Sequence, residues 1–265
     1  MLGAIIGDIA GSRFEFNNYR AKDFELFSDK CFFTDDSVMS LAVADAILRC
    51  GTDLDRLGEE TVRSMQSIGR DYPNCGYGGR FQGWIWSDDP QPYHSFGNGA
   101  AMRVSAVAWA TKDLEECKAL SRAVTQISHD HPEGIKGAEA TAVCVWMALH
   151  GATKDELRAV IERDYYTLDF TIDEIRPTYR FNETCQDTVP QALEAFLEGE
   201  SFEDVIRTSV SVGGDSDTLA AIAGSIAEAF YGIPSSMRAS AMAYLDPELL
   251  QVLQAFEAKY GSRTL

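Results

Sequence analysis

Basic residues are scarce in this chain. Lysine and arginine number 23 against 41 aspartates and glutamates in 265 residues, a formal charge of −18. A protein without a basic face is a poor partner for a phosphate backbone, so general nucleic-acid binding is excluded. A small anionic ligand remains admissible if metal ions or backbone N–H groups hold it. Long apolar runs are missing as well: nothing approaches the ~18–20 residues of a membrane span. The opening Met1–Gly7 carries no positive charge and meets Asp8 at once, so no signal peptide is expected and a cytoplasmic protein is. The six cysteines contain no C-x-x-C pair, which argues for buried reduced thiols rather than zinc ligation. His129 and His131 lack the third nitrogen or sulfur partner that a zinc site needs. There is no β alternation, no internal repeat and no low-complexity linker. The expectation is all-α: one compact orthogonal multi-helix bundle, a single domain over residues 1–265.

What the chain does have is two short acidic stretches far apart in sequence. The first is Thr34-Asp35-Asp36-Ser37 and the second Gly213-Gly214-Asp215-Ser216-Asp217-Thr218. Each opens an apolar run with helical spacing, so each places carboxylates and hydroxyls at a helix start. A single Asp or Thr there is an ordinary cap for orphan N–H groups. Several per start exceed that need. If the two stretches met, their carboxylates would repel unless a cation sat between them. The ligands on offer are oxygens, so that cation would be hard: Mg²⁺, Ca²⁺ or Mn²⁺.

Gly3, Gly7 and Gly11 recur every fourth residue and would leave one bare stripe on a buried helix over residues 3–11. Glu15 follows, flanked by Phe14 and Phe16, placed for either a salt bridge or chemistry. Helices are further expected over residues 52–70, 100–110, 114–127, 134–150, 185–197 and 202–212. Another should start at the capping box Thr153-Lys154-Asp155-Glu156. Residues 17–33, 71–80 and 165–183 read as irregular, and 81–86 is too short to assign. Gly97-Asn98-Gly99 runs into a helix and would let backbone N–H groups approach an anion; a tight turn with a cap reads the same way. His129 suits hydrogen bonding to a phosphate or sugar hydroxyl, or capping. Two other Asp-rich motifs do not fit. Asp35-Asp36 lacks the later aspartate of prenyl-diphosphate enzymes, and Asp215-Ser216-Asp217-Thr218 lacks the preceding strand of aspartyl-nucleophile phosphatases.

Five segments, in order, resemble the ADP-ribosylglycohydrolase family. They are Gly7-Asp8-Ile9-Ala10-Gly11 with Glu15, Thr34-Asp35-Asp36-Ser37, Gly97-Asn98-Gly99 leading to Met102-Arg103, Ser128-His129 before Pro132, and Gly213–Thr218. The resemblance implies an all-α fold holding two divalent cations, Mg²⁺ or Mn²⁺. It implies Thr34, Asp35 and Asp36 as ligands of one ion, Asp215 and Thr218 as ligands of the other, and Asp217 shared. Glu15, Asp36 and Asp217 become the candidate catalytic carboxylates. Ser95, Phe96, Gly97, Asn98 and Gly99 resemble the loop that holds the diphosphate, with Phe96 packing on the nucleoside, and His129 resembles a histidine that contacts ADP-ribose. Ser37 and Ser128 stand where many members carry threonine; both keep the hydroxyl. The implied activity is hydrolysis at C1″ of ADP-ribose, with an ADP-ribosylated protein or small ADP-ribose conjugate as partner, arginine-linked first, by a monomer. Serine-linked or small conjugates, a non-catalytic ADP-ribose-binding protein and a two-metal phosphoester hydrolase are the alternatives.

Overall fold

The glycine stripe decides how the centre of the molecule packs. Helix α1 (Leu2–Gly11) is buried on every side and lies against α13 (Ser216–Tyr231). A Cβ on Gly3 would fall 2.2 Å from the Gly224 carbonyl oxygen, one on Gly7 2.0 Å from that of Ala220, and one on Gly11 2.4 Å from the Asp217 Cα. No side chain fits at such distances, so the two helices meet backbone to backbone. Glycine costs about 1 kcal/mol per position in a helix relative to alanine. Here that cost is offset by a contact no other residue allows, and the contact seats Asp217 against the end of α1.

A computed structural model describes all residues, 1–265, as fifteen helices with no strand. The segments left outside helices pair only at two isolated bridges, Gly97 with Thr184 and Ile233 with Thr264. Around α1 and α13 stand α2 (Asp35–Cys50), α8 (Pro132–Leu149), α11 (Cys185–Glu198) and α12 (Phe202–Val212). A second tier is made by α3 (Leu54–Asp71) and α15 (Pro247–Tyr260) on α2, and by α7 (Leu114–Thr125) on α8. One continuous apolar core runs through these layers. Side-chain caps start most of them: Thr34, Asp53, Asp113, Thr153, Ser201 and Asp246 each accept from a backbone N–H in the first turn. All six cysteines are free. No helix is long and apolar enough to cross a membrane.

Three segments differ from the sequence expectation. The helix expected over 100–110 is two, α5 (Gly99–Met102) and α6 (Ser105–Ala110), because ψ opens to −4° at Arg103 and −11° at Val104 and interrupts the hydrogen-bond ladder. Residues 81–85 belong to α4 (Gly79–Ile85), capped by Trp86, and the segment 165–183 contains α10 (Ile172–Ile175). The latter carries the same signal as α9 (Lys154–Asp164): Thr171 and Glu174 form a capping box, as Thr153 and Glu156 do. The chain closes with α14 (Ser235–Met242) and α15.

Candidate metal centre and ligand cavity

Gly213 and Gly214 adopt φ of 77° and 72°, a left-handed conformation that side chains disfavour. Two such residues turn the chain sharply between α12 and α13 and aim Asp215 and Asp217 inward. The first acidic stretch is aimed by a different device. Asp8, on the otherwise apolar α1, turns its carboxylate to the N-terminus of α2. It accepts from Thr34 N–H at 2.9 Å, Thr34 Oγ1 at 2.7 Å and Ser37 N–H at 3.0 Å, and from the Ser37 hydroxyl. Asp8 thus satisfies orphan donors of α2 and fixes the hydroxyls beside the metal-ligand candidates. Burial raises its carboxyl to about 6, against the lowering effect of those hydrogen bonds.

The two stretches meet. Thr218 Oγ1 donates to Asp36 Oδ2 at 3.2 Å across 182 positions of chain. One carboxylate oxygen each from Glu15, Asp215 and Asp217 lie within 4.8 Å of one another. Burial raises Asp217 well above the ordinary carboxylate range, and the charges that add to the shift are Asp215, Asp36, Glu15 and Asp8, all negative. Asp36 is raised likewise, by burial and then by Asp8, Asp35 and Asp215. Asp35 is pushed up to about 8 and Glu15 to about 7, burial leading in both. Asp36 Oδ1 is buried without any hydrogen-bond partner. An orphaned carboxylate oxygen, in a cluster of carboxylates none of which has an ion-pair partner, fits a divalent metal with oxygen ligands.

These groups line a cavity of about 270 Å³. Glu15, Thr34, Asp35, Asp36, Asp215, Asp217 and Thr218 form one side, and Ser95, Gly97, Asn98, Gly99 and His129 another. Asn98 ties the sides together: its amide nitrogen donates to Asp215 Oδ2 at 2.6 Å and to Thr188 Oγ1 at 3.2 Å. Gly97 N–H donates to Ser95 Oγ at 3.2 Å. Phe96 does not line the cavity. It is 43% exposed and packs edge-on against His131, because the Gly97–Thr184 bridge turns that residue outward.

The cavity also has walls that sequence reasoning did not assign to it. Gly76, Gly78, Gly79 and Arg80 come from the segment 71–80 read as irregular, Phe81 from the one too short to assign, Tyr93 from just before the Ser95–Gly99 loop, and Glu183 from the irregular stretch 165–183. Arg103 lines it too, fully buried. Its guanidinium could have been flagged as a charge inside an apolar run, and Asp8 by the same test.

A profile of the ADP-ribosylglycohydrolase family matches residues 1–262. The chain belongs to that family. Family members are hydrolases of ADP-ribosyl bonds, and the chain resembles several characterised ones at low identity. Human ADP-ribosylhydrolase ARH3 is 28% identical over 205 residues, which are 59% of this chain and 56% of the relative. The chain therefore spans little more than half of that relative's length. The ADP-ribosylarginine hydrolase Tri1 of Pseudomonas putida is 26% identical over 88% of this chain and 70% of its own. The ADP-ribosyl-[dinitrogen reductase] glycohydrolase of Rhodospirillum rubrum is 28% identical over 76% and 69%. Among solved structures, an ADP-ribosylglycohydrolase-related protein complex superposes with a TM-score of 0.72 at 23% identity, covering 97% of this chain and 95% of the other, which establishes the fold.

Proposed function

We propose that this ADP-ribosylglycohydrolase family member uses two divalent cations, Mg²⁺ or Mn²⁺, to hydrolyse the C1″ bond between ADP-ribose and an acceptor, arginine first. The observation that carries the reading is the hydrogen bond from Thr218 to Asp36, which brings both acidic stretches onto one buried space. Thr34, Asp35 and Asp36 would hold one ion, Asp215 and Thr218 the other, with Asp217 between them. Bound there, such ions supply Lewis acidity toward ribose hydroxyls or water.

The chain's own groups do the rest. Glu15 stands at the open end of the carboxylate cluster, half-buried, with its carboxyl raised to about 7 in the metal-free protein. A group so poised can exchange a proton with the departing side chain or with water. Ser95, Gly97, Asn98, Gly99 and His129 line the same cavity and suit the diphosphate, which would meet neutral donors rather than lysines. Phe16 and Phe181 stack at 5.7 Å, 83% and 40% exposed, one residue from Glu15 and two from Glu183 in sequence. Aromatic faces with adjacent carboxylates favour a guanidinium over a neutral hydroxyl as the leaving group. The long arginine-hydrolase match supports the same choice. We also read residues 1–265 as one domain, which the continuous core supports, and the protein as cytoplasmic.

The test is incubation with ADP-ribosylarginine and with a serine-linked ADP-ribosyl peptide, in Mg²⁺ or in EDTA, with products separated by chromatography. Free ADP-ribose from the arginine substrate in Mg²⁺ only supports the reading. Release of AMP or phosphate would assign a phosphoester hydrolase instead.

A further inference from the structure

We infer that Arg103, acting through Ser128, locks His129 in its neutral Nε2–H tautomer, so that the imidazole serves the cavity as a fixed hydrogen-bond donor to an anionic oxygen.

The hydrogen bonds leave one consistent assignment. Arg103 Nη2 donates to Ser128 Oγ at 2.8 Å. Ser128 Oγ lies 2.8 Å from His129 Nδ1, and Arg103 Nη2 lies 3.4 Å from the same nitrogen. Arginine has donors only. Ser128 therefore accepts from Arg103, and its own proton has one acceptor within reach, His129 Nδ1. A proton on Nδ1 would face the Arg103 N–H and leave the Ser128 hydroxyl proton without an acceptor. Nδ1 is the acceptor, which puts the imidazole proton on Nε2.

Nε2 is the atom turned to the ligand side. It stands 3.5 Å from where a Cβ would lie on Gly97 and on Gly99, in the notch those two glycines leave open. It makes no hydrogen bond of its own, and His129 lines the cavity. The titratable or charged neighbours of the ring are few. Arg103 lies on the Nδ1 side, and Tyr93 packs on the ring with centroids 5.8 Å apart; Phe81, at 6.2 Å, is apolar. Burial and then the Arg103 charge push His129 well below the ordinary histidine range, so the donor does not become a cation at neutral pH. Arg103 itself, held down to about 10 by burial, stays charged. Its Nε and Nη1 have no partners, although the guanidinium sits over the Phe81 ring at 5.3 Å. The cost of burying it is understandable if its role is to orient Ser128 and His129.

Arg103 and Ser128 are on this account positioning residues. The tautomer stands on the geometry alone. The identity of the anion as a diphosphate oxygen rests on the ADP-ribose reading above.

The experiment is long-range ¹H–¹⁵N correlation on histidine-labelled protein between pH 6 and 8, combined with calorimetric ADP-ribose binding in Mg²⁺. Wild type should show His129 wholly as the Nε2–H form with no titration. Ser128→Thr should reproduce it. Ser128→Ala should show a mixture of tautomers and a roughly tenfold weaker ADP-ribose affinity, the scale of one hydrogen bond to a charged group. Arg103→Met should do the same; should that variant not fold, Ser128→Ala carries the test. An Nδ1–H imidazole in wild type, or an unchanged tautomer in Ser128→Ala, overturns the inference. Correct tautomers with no ADP-ribose binding in wild type would leave the relay standing and remove the ligand.

Discussion

Thr218 Oγ1 and Asp36 Oδ2 are 3.2 Å apart, and that hydrogen bond closes the two halves of the carboxylate cluster on each other. Neither residue is near the other in sequence. Asp36 arrives by way of Asp8, which holds the start of α2, and Thr218 by way of Gly11, which lets α13 touch α1.

The cluster carries repulsion that a neutral substitution should relieve. At 4 Å each pair of like unit charges repels by roughly 4 kcal/mol at an effective dielectric of about 20. Asp217→Asn should raise the melting temperature of the EDTA-treated protein by a few degrees, since about 1 kcal/mol corresponds to ~2–4 °C at this size. The same variant should lose ADP-ribose release while keeping its helical circular dichroism. Full activity in Asp217→Asn would remove that residue from the chemistry.

The pH dependence follows from the same groups. Asp8 at about 6, Glu15 at about 7 and Asp35 at about 8 all lie above their ordinary values, through burial first. The metal-free folded state then binds more protons than the unfolded one, so its stability falls as pH rises from about 4 to about 8. Mg²⁺ competes with those protons and should therefore stabilise more at pH 8 than at pH 5.5. Thermal unfolding at both values, with Mg²⁺ and with EDTA, checks this. A Mg²⁺ shift that is larger at the lower pH would contradict it.

Asp8 should matter for stability and for metal affinity without touching an ion. Asp8→Ala strands the Thr34 and Ser37 N–H groups, each worth ~1–3 kcal/mol when buried and unpaired. It should lower the urea midpoint. Asp8→Asn keeps the shape but not the acceptor set, and should weaken Mg²⁺ binding by about 10–100-fold, the range for groups that orient metal ligands. Unchanged Mg²⁺ affinity in Asp8→Asn would make its role purely architectural.

The glycine stripe can be tested apart from the chemistry. A methyl at Gly7 would lie 2.0 Å from the Ala220 carbonyl oxygen, so α1 and α13 must separate. Gly7→Ala should destabilise by at least ~1–3 kcal/mol, the usual scale of overpacking, and reduce turnover by displacing Asp217. Gly83→Ala, in α4 where a Cβ meets nothing within 4 Å and φ is helical, is the control for adding a methyl to a helix without the clash.

The legible part of the fold was the part written in helical periodicity, caps and small-residue spacing. The Gly3-Gly7-Gly11 stripe announces a close helix partner, though not that α13 is that partner. The acidic stretches announce themselves because they hold more carboxylates than capping requires. What sequence could not show is three-dimensional neighbourhood. The segment Gly76–Phe81, which runs into α4, reaches the cavity because Cys75 O accepts from Asp35 N–H at 2.8 Å, a contact with no sequence signature. Phe96 sits in the right loop and points the wrong way for stacking in the cavity, since strand-like pairing with Thr184 sets its direction. Arg103 looked like part of a continuous helix, whereas its backbone is the break between α5 and α6.

The most direct test of the metal centre is titration of the metal-free protein with Mn²⁺ at fixed ionic strength, following the electron paramagnetic resonance signal of the free ion. The account predicts saturable uptake of two ions per chain, lost in part in Asp36→Asn and in Asp215→Asn and almost wholly in Asp217→Asn. Uptake that does not saturate, or that is the same in all three variants, would contradict it.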